Sequence, residues 1–153
     1  MDDSLFSKTL VAIDGSEHSM HALEHAAKET KHVDGELIIL SVVPKVYIPT
    51  FDTPGSGTVS PYIRSYKEQI HDEHMHFLKV AEYNVRENYP SLNVTPILLE
   101  GRQAQLIVEE AEKRNVSIIV MGSRGIHGVE GWVLGSTSRR VVEDCQKPIL
   151  IIK

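Results

Sequence analysis

Val116-Ser117-Ile118-Ile119-Val120-Met121-Gly122-Ser123-Arg124-Gly125-Ile126-His127-Gly128-Val129-Glu130-Gly131-Trp132-Val133-Leu134-Gly135-Ser136-Thr137 is the stretch that decides the fold. It opens on an apolar, β-branched run, Val116 to Met121, crosses a loop that holds five of the ten glycines, and reaches Ser136-Thr137, residue types that open helices. Apolar residues at every position but Ser117 suit a strand covered by helices on both faces, so the run reads as a buried parallel strand leading into a helix. Leu10 to Ile13 and Leu37 to Val43 read the same way. Val94 to Leu99 contains Pro96, which cannot donate to a central ladder and is therefore expected at the edge of the sheet. Pro148 to Ile152 closes the chain as a short apolar strand.

Four segments of helical period lie between these strands. In the first, Met20, Leu23, Ala26, Ala27 and Thr30 share a side, with Ser16 or Ser19 as N-cap and Gly35 just past the end. The second runs from about Tyr62 to Asn88, with Ile63, Tyr66, Ile70, Phe77, Ala81 and Val85 in 3-4 spacing. The third carries Ala104, Ile107, Val108 and Ala111, followed by Lys113 and Arg114, cations suited to a helix C-terminus. The fourth starts near Ser136 and turns Val141, Val142 and Cys145 toward a core, ending before Pro148. Strands alternating with helices specify an α/β fold, here a doubly wound, Rossmann-like, five-stranded parallel sheet with right-handed crossovers. Ligands of such sheets bind beyond the carboxyl ends of the strands, which draws attention to the loops after strands one, two and four.

The chain has 153 residues, the size of one domain, so residues 1–153 are expected to form a single unit. A net charge of −5 and a pI near 5.9 argue against nucleic acid and anionic membranes as partners. Cys145 stands alone, so neither an internal disulfide nor a multi-cysteine metal site is expected. No apolar run nears the ~20 residues needed to span a bilayer, and the first residues are acidic where a signal peptide would be basic. A cytoplasmic location is expected. The connection from Pro44 to Pro61 is too rich in Pro and Gly for a helix and long enough to cover a ligand.

Glycines concentrated between a buried strand and a helix let backbone N–H groups approach a ligand without hindrance from Cβ atoms. The helix behind them adds unpaired N–H groups and a positive dipole end, and phosphate is the anion such a loop suits. The spacing is neither the dinucleotide fingerprint, which would follow strand one, nor a Walker A loop, which needs a longer spacing and a Lys. A glycine-rich turn without a ligand is the plain alternative.

Gly122-x2-Gly125-x9-Gly135-Ser136 resembles the nucleotide motif of the universal stress protein (UspA-like) family, in its ATP-binding branch. The likeness extends over Ala12-Ile13-Asp14, Leu40-Ser41-Val42 and the closing Lys147-Pro148-Ile149-Leu150-Ile151-Ile152, and implies an adenine nucleotide α hydrolase-like fold. It implies that Ala12 and Ile13 line adenine, that Asp14 lies near ribose and phosphate or metal, and that Val42 meets adenine through its backbone. Met121 and Gly122 would flank the ribose, and Arg124, Gly125, Gly135, Ser136 and Thr137 would surround the phosphates. The implied ligand is ATP, AMP or ADP with Mg²⁺ or Mn²⁺ bridging phosphates, bound by a dimeric stress-response regulator rather than a catalyst. The implied homodimer pairs along Ile149 to Ile152, an apolar edge otherwise open to uncontrolled pairing. From the residues alone, Asp14-Gly15-Ser16 is also an ordinary turn and cap, Val42 an ordinary strand residue, and Arg124 a solvated loop cation. A slow ATP-hydrolysing or adenylating enzyme on the same fold, and a nucleotide-free protein-binding adaptor, are the competing functions.

Eight histidines include two groups that imitate metal sites. His21-Ala22-Leu23-Glu24-His25 fits a His-x-x-Glu-His pattern, but His18, His21 and His25 fall opposite the apolar stripe, on a face expected to meet solvent. In His71-Asp72-Glu73-His74-Met75-His76, His76 points away from His74, and His74 continues the stripe from Ile70 to Phe77 as a hydrogen-bonded, partly buried residue. Trp132 is read as packing rather than as a base-stacking ring.

Overall fold

The computed structural model describes residues 4–47, 60–125 and 134–153. Its elements alternate as the apolar runs require: β1 (Lys8–Ile13), α1 (Glu17–His32), β2 (Glu36–Pro44), α2 (Pro61–Asn88), β3 (Asn93–Gly101), α3 (Gln103–Lys113), β4 (Ile118–Gly122), α4 (Ser136–Asp144) and β5 (Ile149–Ile152). All strand pairs are parallel, in the order β3-β2-β1-β4-β5. The direction of winding reverses at β1, which lies between β2 and β4, so a crevice opens at the carboxyl ends of those three strands.

Side chains alternate across the sheet and divide the core in two. Val11, Ile13, Leu37, Ile39 and Val120 face α1 and α2, where Leu23, Ala27, Leu78, Ala81 and Val85 cover them. Leu10, Ile38, Leu40, Val42, Ile119 and Met121 face α3 and α4, meeting Ile107, Ala111 and Val141. Pro96 sits on the edge strand β3, in register with Ile39, as its missing N–H dictates.

Several local details settle or correct the sequence reading. Ser16 caps α1, its Oγ accepting from the Ser19 N–H at 3.2 Å. The left-handed residue after that helix is Asp34 (φ 49°), not Gly35. Gly35 lacks a side chain for another reason: a Cβ would stand 2.5 Å from the Phe6 carbonyl oxygen and 2.7 Å from that of Ser7. In α2 only His74, Leu78, Ala81 and Val85 are buried, and Tyr66 is 54% exposed, so the first turns of this helix lie outside the core. Val142 is 45% exposed on α4, so Val141 alone of that pair enters the core. Lys113 and Arg114 clasp the buried Glu110 carboxylate, at 3.0 and 2.7 Å, beyond any interaction with the helix dipole. The Arg114 hydrogen bond holds the Glu110 carboxyl below its ordinary range, against the effect of burial, with Lys113 assisting. Among the described residues no helix is long and apolar enough to cross a membrane.

Candidate functional site

The turn from β1 into α1 shapes one wall of the crevice. Gly15 takes φ +82°, and the Phe77 ring of α2 lies so close that a Cβ would meet it at 2.5 Å. That turn aims Asp14 back over its own chain, where Oδ1 accepts from the Ser16 N–H at 2.9 Å. The Asp14 N–H in turn donates to Ser19 Oγ at 3.3 Å. Asp14 thus serves the turn and also lines the crevice.

The opposite wall is the glycine motif. Its described ends are tied together, since Gly135 N–H donates to the Ser123 carbonyl at 2.7 Å, while Ser123 N–H donates to the Ile152 carbonyl at 2.7 Å. Ser138 Oγ reaches the Gly122 carbonyl at 3.1 Å, binding the first turn of α4 to the end of β4. Gly135 caps α4 with no side-chain hydrogen bond, and with Ser136 and Thr137 it brings the N-terminal turn of that helix to the crevice. The glycines have different local reasons. At Gly122 a Cβ would stand 2.7 Å from the His18 carbonyl carbon, and at Gly125 one would stand 2.6 Å from Asp14 Oδ2. At Gly135 the nearest neighbours would lie at 3.5 to 3.6 Å, ordinary contact. Gly128, Gly131 and Trp132 lie outside the described residues, as does most of the Pro44 to Pro61 connection.

Between these walls is a cavity of about 540 Å³, within the range of small-ligand sites. All eleven candidate residues line it: Ala12, Ile13 and Asp14 from β1 and its turn, Val42 from β2, Met121, Gly122, Arg124 and Gly125 from β4 and its loop, and Gly135, Ser136 and Thr137 at α4. Part of its lining is apolar, Leu40, Val42, Ile107 and Met121 with Ala12 packed against them, and part is polar or charged, with Ser136, Thr137, Arg124 and Arg139. An amphipathic ligand with a flat apolar part and an anionic tail matches this division.

Sequence reasoning did not include several of its lining residues. Leu40 and Ile107 are indistinguishable from core by pattern, and Gln103 follows β3, a strand end outside the loops singled out. Gln103 Nε2 donates to the Val42 carbonyl at 3.4 Å, and its Oε1 accepts from Thr137 Oγ1 at 3.4 Å. His74 was expected only as a hydrogen-bonded stripe residue. It is 5% exposed, with Nδ1 2.9 Å from Ser41 Oγ, and it also lines the cavity. Burial holds the His74 imidazole below its ordinary value, against the pull of the Asp14 and Glu73 carboxylates and with a small push from His71.

Of the other histidines, His21 and His25 face solvent as expected. His18 does not: it is partly buried, with Nδ1 3.3 Å from Ser123 Oγ. Among the described residues no group of three His, Cys, Asp or Glu side chains is placed to hold a metal ion.

The model of the universal stress protein family matches residues 6–153. The chain is 33% identical to the universal stress protein YxiE of Bacillus subtilis over 150 residues, which are 97% of this chain and 100% of that one. The fold is similar to that of the universal stress protein UspA from Lactobacillus plantarum, with a TM-score of 0.77 at 19% identity, over 97% of this chain and 98% of that one. It is also similar to a universal stress protein from Archaeoglobus fulgidus solved in complex with dAMP, with a TM-score of 0.66 at 21% identity, over 98% and 100% of the two chains. With its parallel sheet in the order 3-2-1-4-5 and a family match over nearly its whole length, this chain belongs to the universal stress protein family.

Proposed function

We propose that this chain is a cytoplasmic protein that binds an adenine nucleotide, ATP or else AMP or ADP, and that it acts as a dimeric regulator in a stress response rather than as a catalyst. The observation that carries the reading is the convergence of three strand ends and the α4 N-terminus on one cavity whose lining is part apolar and part polar. The relative complexed with dAMP supports an adenine nucleotide as the ligand. In this reading Ala12 and Ile13 line the base and Val42 meets it through its backbone, Met121 and Gly122 flank the ribose, and Arg124, Gly125, Gly135, Ser136 and Thr137 surround the phosphates. Mg²⁺ or Mn²⁺ suits the donor set: Asp14 offers a single hard carboxylate, and such ions are held by one or two carboxylates together with the ligand's own phosphates. The ion would supply charge neutralisation between phosphate oxygens. Among the described residues no side chain is assigned as a base for phosphoryl transfer, and the proposal is of binding rather than turnover. The dimer would form along β5, whose Ile149–Ile152 edge is paired with β4 on one side only.

Calorimetric titration of nucleotide-stripped protein with ATP, AMP and GTP in the presence of Mg²⁺, followed by a phosphate-release assay, tests the reading. Tight, adenine-specific binding with negligible turnover is expected. Rapid phosphate release would move the protein to the hydrolase class, and no binding at millimolar nucleotide would leave an adaptor with an empty loop.

A further inference from the structure

His74 reaches the cavity from α2 while only 5% exposed, and its two ring nitrogens have different surroundings. Nδ1 lies 2.9 Å from the hydroxyl of Ser41, a β2 residue with no exposed surface. Among the described residues that hydroxyl has no other hydrogen-bond partner, so its hydrogen would be buried and unpaired unless it pointed at Nδ1. Ser41 is therefore the donor and Nδ1 the acceptor. Burial holds the imidazole below its ordinary value, so at neutral pH the ring is uncharged, and with Nδ1 accepting its one hydrogen stands on Nε2. Nε2 has no hydrogen-bond partner among the described residues, and none of their buried side-chain nitrogen or oxygen atoms lacks one, so Nε2 reaches open space. The space that His74 lines is the cavity of the candidate site; a second hollow against α2, lined by Glu73, His76 and Phe77, does not include it.

We infer that His74 is a binding residue of this cavity, its Nε2–H the hydrogen-bond donor to an acceptor atom of the bound nucleotide and its tautomer fixed by Ser41. The inference rests on the adenine-nucleotide reading above. Ser41 is in register with Ile13, so the ring bonded to it stands over the seam of β1 and β2, where the turn carrying Asp14 begins. The Ser41 bond and the burial of the ring hold the imidazole in place before any ligand arrives, so little side-chain freedom is lost on binding. A nucleotide offers acceptors along its whole length, at base nitrogens, ribose oxygens and phosphate oxygens.

His74→Asn and His74→Gln separate the two ring nitrogens, because the Asn amide nitrogen falls near the place of Nδ1 and the Gln amide nitrogen near that of Nε2. Calorimetric titration with ATP and Mg²⁺ is expected to give an affinity about three- to tenfold weaker for His74→Asn, as the loss of one net hydrogen bond provides, and within about twofold of wild type for His74→Gln. Thermal melting at neutral pH checks that both variants are folded. A second measurement needs no variant: nitrogen-15 spectra of the wild-type imidazole should show the hydrogen on Nε2, and the Nε2–H signal should move when ATP is added. A His74→Asn protein that binds ATP as the wild type does overturns the inference and leaves nucleotide binding intact. So does a His74→Gln protein as weak as His74→Asn, which would reduce the ring to structural support, or a wild-type ring that carries its hydrogen on Nδ1 or ignores saturating ATP. A wild type that binds no nucleotide overturns the adenine-nucleotide reading and this inference with it.

Discussion

Gly122→Ala isolates a packing role within a motif otherwise read as a ligand loop. The added methyl would lie 2.7 Å from the His18 carbonyl carbon, 2.8 Å from the His18 Cβ and 2.9 Å from its oxygen. Carbon atoms rest at roughly 3.5–4.0 Å, so α1 would have to move off β4 by close to 1 Å. That helix packs through Ala22 and Ala26, both fully buried, so any displacement opens a gap along the whole seam. Overpacking of this kind costs roughly 1–3 kcal/mol, reduced by the few tenths to 1 kcal/mol that alanine gains by restricting the unfolded chain. A net loss of about 1–2 kcal/mol corresponds to a melting temperature lower by about 2–8 °C for a chain of this size. Thermal unfolding followed by circular dichroism reads it directly. Gly135→Ala is the internal comparison: its methyl would meet ordinary contacts at 3.5 to 3.6 Å and the backbone has φ −66°, so it should melt close to wild type. A Gly122→Ala protein that melts with the wild type, or a Gly135→Ala protein that falls as far, would refute the assignment of a packing role to the first glycine and not the last.

Gly125→Val should lower ATP affinity at least about tenfold while leaving the fold intact, because its side chain enters the cavity and the nearest obstacle, Asp14 Oδ2 at 2.6 Å, belongs to a movable carboxylate. Calorimetry on the folded variant checks it, and unchanged affinity would remove the site from this loop. For His74, the folded-state value is depressed below 6.5, so the unfolded chain takes up a proton first as the solution is acidified. The stability that neutral His74 contributes is therefore fully present above pH 6.5 and is lost as the pH falls from 6.5 toward the depressed folded value. His74→Asn, which keeps a polar group but cannot titrate, should show a smaller drop in melting temperature between neutral and mildly acidic pH than the wild type, and equal drops would refute the assignment.

The strands were legible because a central parallel strand has no solvent face. β2, buried from Leu37 to Val43, leaves no other reading, and Pro96 marked its own strand as an edge. Helix faces were legible only where the body extends beneath them. Tyr66 continues the 3-4 spacing of α2 but stays half exposed, and Val142 stands one position round α4 from the buried Val141. The glycine spacing placed the candidate cavity, since loops at neighbouring strand ends must meet. Gln103 and His74 carry no such signal. Their positions in the cavity depend on how α3 and α2 are laid across β2, where Gln103 meets the Val42 carbonyl and His74 meets Ser41, and contacts of that range have no local period to betray them.

The hydrogen bond from Ser123 N–H to the Ile152 carbonyl has a practical side. The last strand ends beside the glycine motif, whereas β1 starts at the far end of the sheet, near the hydroxyl pair of Ser7 and Ser117, 2.8 Å apart. A fluorophore or surface tether joined after Lys153 would therefore sit next to the cavity and respond to its filling, and one joined ahead of β1 would sit a full strand length away and leave it undisturbed. The choice of tag position thus determines whether a labelled sample reports ligand capture or stands clear of it.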